Sequence, residues 1–275
     1  MIMYRKRFGL TGHPLPKGAQ GKTFYDQIPS YVRLKSEFQQ LLDEPGLGIL
    51  TADVGIGKTA AIRNLCLQLP QPDFRVIYLC DTAVSPLDLC QTLATELGVR
   101  PSHRRAQGWT DIKQTWRHMV DERGTLPVLI VDEAHRLPDS LLLDLSSLLN
   151  FSFDSRDLIT LWLVGLPLLA RRLRMQQHAS LAMRATAQVH LDLLDRDHFF
   201  AMIDHGLKAA GTTSNVLSDP ARELLFRASR GIPRVASKML RTAMRHAHDR
   251  DHNFVDDHAM EWAVQALVPL AITPS

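Results

Sequence analysis

Cysteine is scarce in this chain of 275 residues: Cys66, Cys80 and Cys90 are the only three, and none stands in a CxxC pair. That excludes a disulfide framework and a cysteine zinc site, and their apolar surroundings read as buried thiols in a reducing compartment. Excess charge of one sign is also missing. A formal net charge of +3 rules out a uniformly basic shell, so any nucleic-acid surface must arise from local clustering. Long apolar runs are lacking: the longest uncharged one, Leu158 to Ala170, falls well short of the ~20 residues a membrane helix needs. The opening "MIMYRKRFGL" has neither the apolar centre nor the cleavage site of a signal peptide. The expectation is a cytoplasmic protein with no membrane contact. Neither an internal repeat nor a low-complexity segment is present. What is abundant is apolar residues, 45% of the chain, enough to build the core of one large or two modest domains.

Residues 1–29 mix glycine, proline and basic side chains ("LTGHPLPKGAQGK") and read as an irregular N-terminal arm. From Ser30 the spacing of Tyr31, Leu34, Phe38, Leu41 and Leu42 makes one helical stripe, stopped by Pro45-Gly46. Short apolar runs then alternate with helical patterns. Strands are expected near 47–52, 74–80, 127–131, 158–165 and 187–191, and helices near 58–69, 86–97, 110–123, 139–149 and 167–175. Such alternation implies crossovers and a mainly parallel sheet covered on both faces. After Asp195 only helices follow, near 195–210, 219–229, 233–248 and 255–267, with "SDPARE" opening the second. The boundary is therefore placed near 193, giving a core of 30–193 and a helical region of 194–275.

Two motifs carry chemistry. In "ADVGIGKT" an expected strand feeds a glycine-rich turn that opens a helix, an arrangement that aims backbone N–H groups at phosphate. Asp53, Val54, Gly55, Ile56, Gly57, Lys58, Thr59 and Ala60 form the loop. Lys58 reaches the β- and γ-phosphates of ATP, and Thr59 coordinates Mg2+. Ala52 stands where such loops usually begin with glycine, which is tolerable if its φ is negative. In "VLIVDEAH" a buried strand ends at Asp132, suited to holding magnesium, with Glu133 beside it to polarise an attacking water. The four letters DEAH also occur in helicases, but those need two such cores and this chain has room for one.

On these motifs, together with "MYRKRFGL…HPLP", "LVGLPLL", "LAMRATAQVHL" and "RGIPRVASKML", the chain resembles the AAA+ ATPases of the ExeA (general secretion pathway A) type and their relatives TniB, TnsC and MuB, which regulate DNA transposition. The resemblance implies an α/β fold: a P-loop AAA+ core with a five-stranded parallel sheet in the order five, one, four, three, two, flanked by helices, then an all-helical lid. It implies that Arg184 is an arginine finger supplied to a neighbouring subunit, and that Arg234 in "GIPR" closes over bound nucleotide. Relatives commonly read "GQP" where this chain has Gly165-Leu166-Pro167, and no amide or hydroxyl side chain lies between Leu161 and Pro167 to orient water. Gln188 stands where many relatives carry a second arginine. Hydrolysis is therefore expected to be slow or partner-stimulated, below about 1 s⁻¹ in isolation.

Arg234, Lys238, Arg241 and Arg245 recur at helical spacing and share one face. Arg104 and Arg105, with Arg100, are expected in a loop before Lys113 and Arg117, and Arg171 and Arg172 follow the fourth strand. One reading is solubilising charge. The other is contact with the phosphates of double-stranded DNA, without strong sequence preference. ExeA proteins continue into a membrane segment and a wall-binding part, whereas this sequence stops at Ser275. That shifts the expectation towards an ATP-switched regulator that forms a homo-oligomer, ring or filament, on DNA and recruits a transposase. The competing expectation is an ATPase serving a secretion or envelope machine.

Overall fold

The computed structural model describes residues 3–80, 85–151, 155–212 and 215–267. Five strands, β1 (Leu47–Ala52), β2 (Phe74–Leu79), β3 (Leu126–Val131), β4 (Thr160–Gly165) and β5 (Ala185–Leu191), form one sheet in the order β2-β3-β4-β1-β5. Every pairing is parallel. This is the expected order read from the other edge. Between the strands run α3 (Lys58–Cys66), α4 (Pro86–Glu96), α5 (Arg105–Arg123), α6 (Asp139–Leu148), α7 (Pro167–Leu173) and the short α8 (Ala179–Ala182). They are preceded by α1 (Met3–Arg7) and α2 (Pro29–Asp43), and followed by α9 (Arg196–Ala209), α10 (Asp219–Ser229), α11 (Pro233–Asp249) and α12 (Asp257–Leu267). No helix among the described residues is long and apolar enough to cross a membrane.

Contacts divide the chain into two compact units, one of Pro29–Val54 with Ala61–Leu191, the other of the residues up to Ile28, Gly55–Ala60 and the residues from Asp192 onward. In the sheet unit β1 and β4 are buried along their whole length, as parallel strands covered on both faces must be. The edge strands β2 and β5 instead alternate buried with exposed residues, because an edge has fewer neighbours to cover it. Gly48 of β1 pairs in register with Trp162 of β4. A Cβ at Gly48 would lie 2.6 Å from the indole, so glycine here lets the fully buried Trp162 cross β1 and stack on Phe38 of α2.

α4 opens on a capping box in which Ser85 and Asp88 bond each other's backbone N–H, with proline in the first turn. α5 begins earlier than the sequence pattern indicates. Arg105 is its first residue rather than part of a loop, and it pairs with Asp144 of α6 at 2.8 Å. Gly108 hides that first turn, since glycine is a poor helix former. The tertiary reason for it is close helix packing: a Cβ there would sit 2.6 Å from Cys90 Sγ. Burial pushes the Cys90 thiol up to about 11 and Cys66 up to about 12, so both stay protonated and inert. Cys80 departs from the buried reading: it is exposed at the end of the edge strand β2.

The helical unit has its own core of Phe199, Met202, Ile203, Leu225, Met239, Leu240, Met244 and Met260. The opening residues, read above as an irregular arm, are packed into it. Tyr4 and Phe8 are each 2% exposed, Thr11 N–H donates to the Ala210 carbonyl at 2.8 Å, and the Ser237 hydroxyl donates to the Leu15 carbonyl at 2.9 Å. A Cβ on Gly206 of α9 would come within 2.1 Å of the Pro14 carbonyl oxygen. α10 carries the cap expected from "SDPARE", Ser218 accepting from Ala221 N–H, with proline in the first turn.

Candidate nucleotide-binding site

The phosphate loop starts where β1 ends. Ala52 is the last residue of β1, completely buried in extended backbone, so its methyl group adds no strain and a leading glycine is not needed. Gly55 and Gly57 follow at φ +87° and +119°, conformations that a side chain would make unfavourable. Gly55 is also sterically restricted: an added Cβ would meet Ile232 Cγ2 at 2.9 Å and Arg234 Cβ at 3.2 Å. Nothing lies within 4 Å of a Cβ built on Gly57, which leaves room beside the turn. Lys58 then opens α3, only 6% exposed, with Thr59 half-buried next to it. A glycine turn in the positive-φ region that opens a helix, with a lysine and a hydroxyl at its first positions, fits a triphosphate and Mg2+. In the turn, Thr59 is suited to a metal and the loop from Asp53 to Ala60 to phosphates; in the sheet unit, Asp132 is the residue suited to a metal.

Asp132 follows β3 and is 3% exposed. Its Oδ1 accepts from Glu133 N–H at 2.8 Å and its Oδ2 from the Tyr78 hydroxyl at 2.9 Å. Glu133 is one of three non-glycine residues at positive φ among the described residues, φ 54°, a conformation that costs about 1–3 kcal/mol and collects at functional sites. The left-handed turn separates two adjacent carboxylates. Asp132 stays buried and hydrogen-bonded, suited to a metal, while the Glu133 side chain is 44% exposed, suited to meeting a water.

Tyr78 was not legible as a site residue, because a tyrosine in an apolar strand reads as packing. Burial, followed by the Asp132 charge, pushes its phenol above the ordinary tyrosine range, so it remains a donor to Asp132. Tyr78→Phe is expected to raise the Mg2+ concentration for half-maximal nucleotide-dependent signal about tenfold, the usual effect of losing a bond to a metal-holding carboxylate. A magnesium titration on the full chain checks this, and an unchanged midpoint would remove Tyr78 from the site.

The order β3-β4-β1 brings the carboxyl ends of these strands to one edge of the sheet, where parallel α/β sheets bind ligands. β4 contributes no polar side chain there, ending Leu163-Val164-Gly165. His135, in the tight turn Ala134–Arg136, lies against that end: the Leu166 N–H donates to its Nδ1 at 3.3 Å. Arg172 Nη1 donates to the His135 carbonyl at 2.8 Å, and Nη2 pairs with Asp139.

The basic residues fall into different circumstances. Arg234 is exposed in the first turn of α11, and its N–H donates to the Gly55 carbonyl at 3.2 Å. Lys238 and Arg245 are exposed on the same helix and Arg241 is half-buried, while Ala236, Met239, Leu240, Ala243 and Met244 cover its buried side. Arg5 of α1 was missed by sequence reading but joins this stripe. It hydrogen-bonds His13, and burial, then Arg5, Arg241 and Arg245, hold His13 below the ordinary histidine range. Arg184 is half-buried just before β5. Burial, then the charges of Arg117 and Arg184, lower the Lys113 ammonium, so these three cations share one neighbourhood. Lys113 donates to the carbonyls of Ser147 and Asn150 at 2.6 and 3.0 Å. Lys113, Arg105 and Arg172 are thus engaged within the fold, while Arg104 and Arg171 are exposed.

Residues 41–173 match the family model described as AAA domain. The chain is 30% identical over 235 residues to General secretion pathway protein A of Aeromonas hydrophila, covering 85% of this chain and 43% of that protein, under half its length. Among solved structures, the ORC2 protein of Aeropyrum pernix in its ADP form superposes with a TM-score of 0.70 at 12% identity, covering 95% of this chain and 72% of that one. The ORC1 protein of Aeropyrum pernix in complex with DNA gives 0.65 at 17% identity, covering 96% and 69%. Identities this low establish fold rather than activity. With its glycine loop, its strand-end carboxylates and its sheet order, the chain has the fold of a P-loop AAA+ ATPase, with an AAA domain at residues 41–173 and a helical C-terminal region.

Proposed function

We propose that this protein is an ATPase whose nucleotide state controls its assembly on duplex DNA, and that it acts as a regulator of DNA transposition by recruiting or activating a transposase. The observation that carries the DNA reading is the bond from Arg234 N–H to the Gly55 carbonyl. It ties the phosphate loop to the first turn of α11, the helix whose exposed face bears Lys238 and Arg245. A change in the loop on nucleotide binding therefore acts on the basic stripe through one backbone contact. The structural likeness to an ORC1 protein in complex with DNA supports the same direction, and the motif resemblance to TniB, TnsC and MuB supports transposition.

In this reading Lys58 neutralises charge on the terminal phosphates. Glu133 accepts a proton from the water that attacks the γ-phosphorus as the bond to the leaving ADP breaks. Bound Mg2+ supplies electrophilic neutralisation of the phosphate oxygens. Arg184 acts across a subunit contact and Arg234 from the helical unit, so turnover needs the homo-oligomer. A second reading, an ATPase serving a secretion machine, is favoured by the 30% identity to General secretion pathway protein A.

Retention of random-sequence duplex DNA with ATP, ADP and a non-hydrolysable analogue, at low and moderate salt, separates the two. Salt-sensitive retention only with the triphosphates is expected. Lys238→Ala and Arg241→Ala should each reduce the salt slope by about 0.9 if each contacts a phosphate. Arg184→Ala should bind ATP yet gain no turnover from DNA. Nucleotide binding without DNA retention would transfer the proposal to the secretion reading.

A further inference from the structure

β4 ends without a polar side chain, yet the base Glu133 has a polar neighbour from another direction. The His135 ring is only 10% exposed, and its Nε2 lies 3.7 Å from Glu133 Oε2. Its other nitrogen accepts the Leu166 N–H, which places the lone pair on Nδ1 and the hydrogen of the neutral ring on Nε2, towards the carboxylate. Room for the ring depends on Gly165, where a Cβ would stand 3.1 Å from His135 N and 3.2 Å from Nδ1. The backbone of the same residue is held by Arg172, itself paired with Asp139.

We propose that His135 is the positioning residue for Glu133, donating from Nε2 to the carboxylate and standing in for the polar side chain that the end of β4 lacks. A separation of 3.7 Å exceeds a hydrogen bond. Of the two partners, the ring is held at Nδ1 by the Leu166 N–H and is 10% exposed, whereas the Glu133 side chain is 44% exposed. Rotation of the carboxylate closes the gap. One oxygen then accepts a charge-assisted bond from Nε2–H, and the other is left aimed at the attacking water. Because Leu166 N–H orients the ring, a shift of the β4–α7 junction also moves the donor, so the base is set by the strand end even though the strand supplies no side chain. This inference rests on Glu133 being the base of the proposed hydrolysis.

The test uses the full chain with His135→Ala, His135→Gln and Glu133→Gln. His135→Ala is expected to lower kcat about tenfold to a hundredfold with nucleotide Kd within about twofold. His135→Gln, which keeps a side-chain N–H donor, should restore part of the loss, and His135→Ala should add little to Glu133→Gln. A spectrum of nitrogen-15 histidine, with His135 assigned by its disappearance in His135→Ala, should show Nδ1 bare and Nε2 protonated, and Glu133→Gln should move the Nε2 resonance. Unchanged kcat in His135→Ala beside a strong effect of Glu133→Gln would overturn the inference. So would an Nδ1–H tautomer, or an Nε2 resonance indifferent to Glu133. If the wild type turns over no ATP with or without DNA, the hydrolytic reading fails instead, and the spectrum alone then decides whether His135 engages Glu133.

Discussion

Lys58→Ala is expected to weaken ATP binding at least about a hundredfold, equivalent to ~2.7 kcal/mol. Two features set that size. Lys58 is 6% exposed, so under the proposed function its ammonium would meet the phosphates in a poorly hydrated place, where a charge-assisted bond contributes about 1.5–3 kcal/mol. The loop around it cannot compensate, because Gly55 and Gly57 offer only backbone. The bond between Gly55 and Arg234 is backbone to side-chain-independent backbone and survives the substitution, so a thermal melt should show a folded protein. Calorimetric titration with ATP measures the loss, and DNA retention should fall with it. An affinity within threefold of the wild type would mean that the glycine turn is not the phosphate site.

Glu133→Gln is expected to leave ATP affinity within about twofold while lowering turnover 10²–10⁴-fold, the range for removing a general base. Glutamine has the same length, keeps the left-handed backbone at φ 54° no worse than glutamate, and leaves the Glu133 N–H bond to Asp132 intact. What it loses is the capacity to take a proton. Under the proposed function, the variant should also remain on DNA longer than the wild type once ATP is diluted away, since the step that resets the assembly is blocked. Single-turnover hydrolysis and a DNA dissociation trace measure the two effects. Wild-type turnover in this variant would assign the base elsewhere.

Much of the architecture was legible because it follows from local rules. Strict alternation of apolar runs with helical stripes marks a parallel sheet, and "GIGKT" and "VDE" stand at strand ends where the period changes. Less legible were features that depend on distant partners. The first turn of α5 carries Gly108, a weak helix former whose place is set by Cys90. The opening segment has loop composition, yet Tyr4 and Phe8 are held by a helical core that begins nearly two hundred residues later. Tyr78 lies within an expected strand, and nothing in its spacing shows that its hydroxyl donates to Asp132.

The sequence by itself determined the strand and helix succession, the glycines that permit a phosphate turn, Lys58 and Thr59 at a helix start, and paired carboxylates after a buried strand. All of these rest on periodicity and backbone preference within a few residues. Only the tertiary structure decided that Ala52 is harmless, that Glu133 takes a left-handed backbone and is partly exposed beside a buried Asp132, that Arg172 and Lys113 are held within the fold, and that the glycine loop is bonded to the helix bearing the basic stripe. Those outcomes depend on what lies across the sheet or on a helix far along the chain, and sequence spacing carries no information about such neighbours.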